Sequence, residues 1–181
     1  MLVARSAVSS VVKAVLLLAT TACLSSLAST QSAESGLSRT EAAKRRVDEI
    51  MKETHRRGEG SINGIPTYTR LPPSPEAVKE LRDLGTSAIR TLTDYAFTGT
   101  PTQQSMAIDF LGRIGGKEVV PSLDLILQRS PSASNRELAL RWLPYEGDDK
   151  LRLILLRTAK TDPEKRVRDL AESRLAEFSA K

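Results

Sequence analysis

The sequence predicts an all-α protein, a short stack of about three helix pairs closed by a C-terminal capping helix. Three observations point there. Apolar residues recur at a fixed spacing of 32: Ala107, Ala139 and Ala171; Leu111, Leu143 and Leu175; Met106, Leu138 and Leu170. Loop and polar positions keep the same interval, Pro131 with Pro163, and Gln104 with Arg136 and Arg168. A period in this range marks a helical solenoid, in which each unit is one supersecondary element stacked on the next. Finally, the chain of 181 residues has one cysteine, Cys23, so a hydrophobic core rather than disulfides or a zinc site must hold it.

The stack is expected to follow an N-terminal signal segment and an isolated helix. No acid precedes Glu34, and Arg5 and Lys13 stand before the apolar run Ala14–Ala19. A basic start, a short apolar stretch and small residues after it have the form of a secretory leader. The run is shorter than the ~20 apolar residues needed to span a bilayer. Two cleavage points compete. Ser26-Leu27-Ala28 offers a small-x-small site, making 1–28 a signal peptide. Thr20-Thr21-Ala22-Cys23 resembles a bacterial lipobox, which would end the leader at 22 and leave Cys23 as a lipidated N-terminus. An organelle transit peptide is a third reading of the Ser-rich, acid-poor segment, disfavoured by its continuous apolar run. The expected location is therefore outside the cytoplasm: periplasmic, secreted or lipid-anchored in the cell envelope.

Residues 29–73 read as a linker containing one amphipathic helix over about 39–57. Ser38-Arg39-Thr40-Glu41 has capping-box spacing, and Ala43, Val47, Ile50 and Met51 recur at helical intervals. Lys44-Arg45-Arg46 and His55-Arg56-Arg57 could touch nucleic acid or anionic lipid, but Glu41, Asp48, Glu49 and Glu53 interleave with them, as on an ordinary charged helix face. Gly58–Gly64 then breaks the helix. The Asn63-Gly64 pair marks a tight turn, and the segment lacks the GK[ST] ending or G-x-G-x-x-G spacing of a phosphate loop. Pro66, Pro72, Pro73 and Pro75 enforce extended backbone up to the expected domain start at Ser74, so the repeat domain is placed at 74–181.

Ser74-Pro75-Glu76 caps the first helix, which ends at Gly85; its partner covers about 86–97. The second pair spans about 102–114 and 118–129, divided by Gly115-Gly116. The third begins at the box Ser134-Asn135-Arg136-Glu137, stops at Pro144 and resumes over 148–160, with Asp148-Asp149 favouring the helix dipole. Asp162-Pro163-Glu164 opens the last helix, whose stripe is Val167, Leu170, Ala171, Leu175 and Phe178, with Lys165, Arg168, Glu172 and Arg174 expected on the polar face.

The segment Ala107-Ile108-Asp109-Phe110-Leu111-Gly112-Arg113-Ile114-Gly115 with Val119-Val120-Pro121-Ser122-Leu123, and Pro163–Arg168 with Ala171 and Leu175, resemble bacterial HEAT-like repeats of the phycobilisome-lyase-related type. The resemblance covers about 74–178 and implies an architecture, not an activity. Tetratricopeptide repeats are the rival, but their Trp-Leu-Gly-Tyr pattern is not reproduced.

These features point to a monomeric, non-catalytic scaffold that binds an unidentified protein. One histidine, His55, and no cysteine beyond the leader leave no usual nucleophile–base pair, so no catalytic residue, cofactor or metal site is assigned. An enzyme or enzyme subunit, or a nucleic-acid-binding HEAT-like protein, is the alternative. Nucleic acid is not the expected partner, because the net charge of +5 falls to about +3 without Arg5 and Lys13, the bases are scattered, and aromatics make up 4% of residues. Trp142 aligns with Phe110 and Arg174 and reads as a large residue packed between units. Contact with the membrane is expected only through a lipid on Cys23 or an uncleaved leader. Aligning the second helices puts Leu92, Leu123 and Leu155 in one core row and Ala96, Leu127 and Ala159 in another. The opposite face carries Arg90, Asp94, Ser122, Leu125, Arg129, Arg152 and Arg157, a candidate partner-binding ridge with an apolar centre and charged rim.

Overall fold

The computed structural model describes residues 39–57, 59–62, 65–68, 72–144 and 149–179. The leader, Cys23 and its cleavage points, the Ser38 end of the first capping box, Asn63-Gly64 and Asp148 lie outside them. The chain divides into Met1–Ala42 and a compact unit Ala43–Lys181. Of the former, residues 39–42 are described, as the opening turn of helix α1 (39–57).

The described part is helical apart from one hairpin. After α1 come strands β1 (Glu59–Ile62) and β2 (Ile65–Tyr68), antiparallel, with Glu59 opposite Tyr68 and Ile62 opposite Ile65. The extended backbone expected in this stretch is thus partly paired rather than a plain connector. Then follow α2 (Pro75–Asp83), α3 (Thr86–Thr98), α4 (Pro101–Ile114), α5 (Val120–Arg129), α6 (Ala133–Trp142), α7 (Asp149–Thr161) and α8 (Lys165–Ser179). No described helix is long and apolar enough to cross a membrane.

Local chemistry sets these boundaries. Ser74 Oγ accepts from the Ala77 N–H, and Pro75 occupies the first turn, where a missing N–H costs nothing. Thr100 and Gln103 form a reciprocal capping box on α4. That helix ends at Gly115 with φ 66°, a left-handed conformation that favours glycine. One expected cap is corrected: α6 starts from Ser132, whose Oγ accepts from the Asn135 N–H, rather than from Ser134. Pro131 precedes Ser132 and holds the chain extended, so the cap falls two residues earlier.

Alternate helices pack together: α2 on α4, α4 on α6, α6 on α8, with α3 on α5. Consecutive helices also meet, α3 with α4, α5 with α6, and α7 with α8. Positions 32 apart share their surroundings. Ala107, Ala139 and Ala171 are all fully buried, and Leu111 and Leu143 are in the core with Leu175 packed against it. The expected core rows hold too: Leu92, Leu123 and Leu155 are fully buried, Ala96 and Leu127 nearly so, and Ala159 packs at the edge.

Two expectations fail. The helix at 39–57 is not isolated, because Val47, Ile50 and Met51 belong to the same core cluster, so the compact unit starts at Ala43 instead of Ser74. Arg46 pairs with Glu80 on α2, and the Tyr95 hydroxyl donates to Asp48 at 2.9 Å. Burial and the Asp48 carboxylate push the Tyr95 hydroxyl up to about 12. Arg174, expected on the polar face of α8, is buried. Its guanidinium donates to the carbonyls of Leu140, Leu143 and Pro144 where α6 ends, the Leu140 carbonyl also accepting the Leu143 N–H. A charged group is tolerated there because it donates to three backbone acceptors at once.

Gly112 solves a different packing problem. A Cβ there would lie 2.1 Å from the Trp142 ring, so glycine is what lets α6 lay the indole on α4. The indole N–H donates to Asp109 at 2.9 Å and the Arg113 guanidinium sits 5.5 Å from the ring centroid. Trp142 is therefore only half-buried, packed by its face and anchored by its polar edge.

Candidate functional site

The loops that open α4, α6 and α8 are built alike. The Gln104 amide donates to the Gly99 carbonyl at 2.9 Å, Arg136 to Pro131 at 3.3 Å, and Arg168 to Pro163 at 2.9 Å. Each bond joins a helix side chain to the carbonyl five residues earlier. The arginines reach one carbonyl further, to Ser130 at 2.9 Å and Asp162 at 2.7 Å.

What the same side chain does towards the following loop differs. Arg136 makes a bidentate pair with Asp162, Nε to Oδ2 at 2.8 Å and Nη2 to Oδ1 at 3.0 Å, with both side chains buried. Burial alone would raise the Asp162 carboxyl, but the Arg136 guanidinium and the Glu164 N–H, which donates to Oδ1, outweigh it and hold the group below its ordinary value. One repeat earlier the matching positions are Gln104 and Ser130. Gln104 instead accepts from the Asn135 side chain at 2.7 Å. Ser130 Oγ, in a residue only 5% exposed, has no hydrogen-bond partner among the described residues. An unmet buried hydroxyl costs ~1–3 kcal/mol.

Between the two loops lies a cleft of about 470 Å³. Ser130, Pro131 and Arg136 line one side, Thr161, Asp162 and Pro163 the other, and Leu127, Gln128, Arg157 and Thr158 complete it. Thr158 and Thr161 spend their hydroxyl protons on the carbonyls of Ile154 and Arg157. Arg157 Nη2 is ion-paired with Asp124, which ties α7 to α5.

The predicted ridge is distributed over α3, α5 and α7. Arg90, Asp94, Arg129 and Arg152 are exposed, while Ser122, Leu125 and Arg157 are half-buried. The Ser122 hydroxyl is hydrogen-bonded to the Thr93 hydroxyl at 2.9 Å, linking α5 to α3. Next to Arg152, Leu153 is 64% exposed, a large apolar side chain left in solvent. Of the ridge, Arg157 alone also lines the cleft; Ser130 was not named from the sequence, and Asp162 only as the opener of the last helix. The signal was present in the register, since extending the 32-residue alignment from Arg136 places Ser130 opposite Asp162.

A second, open pocket of about 310 Å³ is lined by Lys52, His55 and Arg56 of α1 with Thr100 and Gln103. No group of three or more His, Cys, Asp or Glu that could hold a metal occurs among the described residues. No protein-family model, curated protein or solved structure matches the chain.

Proposed function

We propose that the chain is an exported, non-catalytic protein-interaction module built from HEAT-like repeats, binding an unidentified protein through the ridge on α3, α5 and α7. The observation that carries this reading is the recurrence of one loop bond at 32-residue intervals, Gln104 to Gly99, Arg136 to Pro131 and Arg168 to Pro163, together with the buried alanines 107, 139 and 171. A chain that repeats its fold also repeats its surface, and such surfaces serve as extended binding faces. The charged groups in the large cleft favour binding over chemistry, because Arg136 and Asp162 neutralise each other and Arg157 is engaged by Asp124. The ridge carries more cations than anions, which suits an acidic partner surface. Export rests on the leader and its two cleavage points at Cys23 and Ala28.

Affinity capture from native envelope fractions tests the binding reading. Arg90→Glu with Arg152→Glu, both exposed positions of the ridge, should abolish capture of the partner and leave helicity unchanged, as exposed changes seldom affect stability by more than ~0.5 kcal/mol. A folded double variant that still captures the same protein places binding elsewhere. Intact-mass measurement of the native product should find an N-terminus at Cys23 with lipid or near Ser29 without it, and a cytosolic product retaining Met1 contradicts export.

A further inference from the structure

We propose that the open pocket between α1 and the opening turn of α4 is a phosphate-monoester site, filled by the phosphate of a lipid headgroup or by a soluble monoester. It lies apart from the ridge on α3, α5 and α7 and does not depend on it.

The pocket, of about 310 Å³, is lined by Lys52, His55 and Arg56 from α1 and by Thr100 and Gln103 from the start of α4, with no acid among these residues. Lys52 and Arg56 stand at i and i+4, one turn apart on the same face of α1. Both are exposed, and neither makes a hydrogen bond or ion pair among the described residues. Like charges at that spacing repel each other, and an anion between them relieves the repulsion. The nearby acids of α1 are committed elsewhere. Asp48 accepts from the Tyr95 hydroxyl, Glu49 pairs with Arg46, and Glu53 lines a separate cleft against α2.

The wall from α4 adds further donors. In the capping box Gln103 Oε1 accepts from the Thr100 N–H at 2.9 Å, and Thr100 Oγ accepts from the Gln103 N–H at 3.4 Å. The box thus engages the oxygens of both side chains. It leaves the Thr100 hydroxyl proton and the Gln103 carboxamide protons without an acceptor among the described residues. One repeat later the matching amide is spent, since Asn135 donates to Gln104 Oε1 at 2.7 Å. The backbone of the turn offers little: Pro101 has no N–H, and those of Thr100, Gln103 and Gln104 are already bonded. Recognition here therefore falls to side chains.

These groups select the chemistry of the ligand. An ammonium, a guanidinium, a hydroxyl and a carboxamide stand on two walls, so their donors come from different directions. A carboxylate offers two coplanar oxygens. A phosphate monoester offers three terminal oxygens and a charge of about −1.5 to −2 at pH 7, enough to meet both walls and both cations at once. Lysine meets it as a point charge and arginine through its fork. Val47, Ile50 and Met51 hold the apolar stripe of α1 in the core, so a lipid is met at its headgroup rather than by insertion of the helix.

The test is an NMR titration of the full chain with glycerol 3-phosphate and, at matched ionic strength, with acetate. The monoester should shift the Thr100 amide, the Gln103 side-chain amide and the Arg56 Nε–H in a saturable way, and acetate should not. Lys52→Gln and Arg56→Gln should each weaken binding about tenfold or more, the loss of one charge-assisted bond. Gln103→Glu is the sharper variant: a glutamate keeps the capping box, so the melting temperature should hold, but it removes the donor and adds a negative charge, so binding should vanish. No saturable shift with the monoester, acetate bound as tightly, or wild-type affinity in both Lys52→Gln and Arg56→Gln overturns the proposal. Phosphatidylcholine vesicles carrying phosphatidic acid, a monoester, or phosphatidylglycerol, a diester, then identify the source. A preference for phosphatidic acid that Arg56→Gln removes makes the ligand a lipid headgroup, and equal retention on both with glycerol 3-phosphate still bound makes it a soluble monoester.

Discussion

The two junctions opened by Gln104 and Arg136 use the same backbone plan and opposite chemistry. At the second, a guanidinium and a carboxylate are buried as a bidentate pair, with further bonds to Ser130 O and the Glu164 N–H. At the first, two amides meet and a serine hydroxyl is left over. The charged junction is closed and depends on both partners. The neutral one depends little on any single group and leaves a buried hydroxyl without a partner among the described residues. Repetition fixes where side chains stand, and single replacements within the repeat decide whether a junction is clamped by charge or joined by neutral groups.

Breaking the clamp should have the largest effect. Asp162→Ala strands a buried guanidinium and should cost about 3–5 kcal/mol in chemical denaturation. Asn135→Ala, the neutral counterpart, should cost only ~1 kcal/mol. Losses of equal size would mean that the two junctions do not differ as described.

The packing shared by both junctions comes next. Leu111→Ala and Leu143→Ala should each cost ~2–5 kcal/mol, since both side chains are fully enclosed. Gly112→Ala should cost ~1–3 kcal/mol through its clash with Trp142, visible as a change in tryptophan fluorescence. An unchanged spectrum and midpoint would show that the indole does not rest on Gly112.

Acid sharpens the comparison further. The Asp162 carboxyl is held below its ordinary value in the fold, so its contribution is present above the unfolded value of about 3.9 and is lost as pH falls through the lower folded value. Stability of the wild type should fall with pH below about 4, and Asp162→Asn should flatten that slope. Identical slopes would remove the ion pair as the source. The smallest effect belongs to Ser130→Ala, which removes an unmet hydroxyl and should leave stability unchanged or up to ~1 kcal/mol higher.

Much of this was legible in the sequence, and what was missed has identifiable causes. The 32-residue spacing found the buried alanines and leucines, because burial of a helix stripe leaves an apolar period that chemistry alone reveals. The same kind of stripe, Val47, Ile50 and Met51, revealed helix α1 but not what it covers, since α1 lies outside the repeat register. Arg174 reads as a surface residue by type. Its burial depends on carbonyls freed at the end of α6, and a backbone acceptor leaves no mark in the residue letters. The ridge was readable as positions opposite the core rows, but not that Arg157 would engage Asp124 or that Ser130 would lack a partner. Both depend on side-chain reach between units.

The most direct test of the account is a double-mutant cycle that builds the clamp at the neutral junction, with Gln104→Arg and Ser130→Asp measured singly and together by chemical denaturation. Each single change should destabilise by burying one unpaired charge, and the pair should recover stability with a favourable coupling of at least ~1 kcal/mol. Additive losses with no coupling would contradict the equivalence of Gln104–Ser130 with Arg136–Asp162.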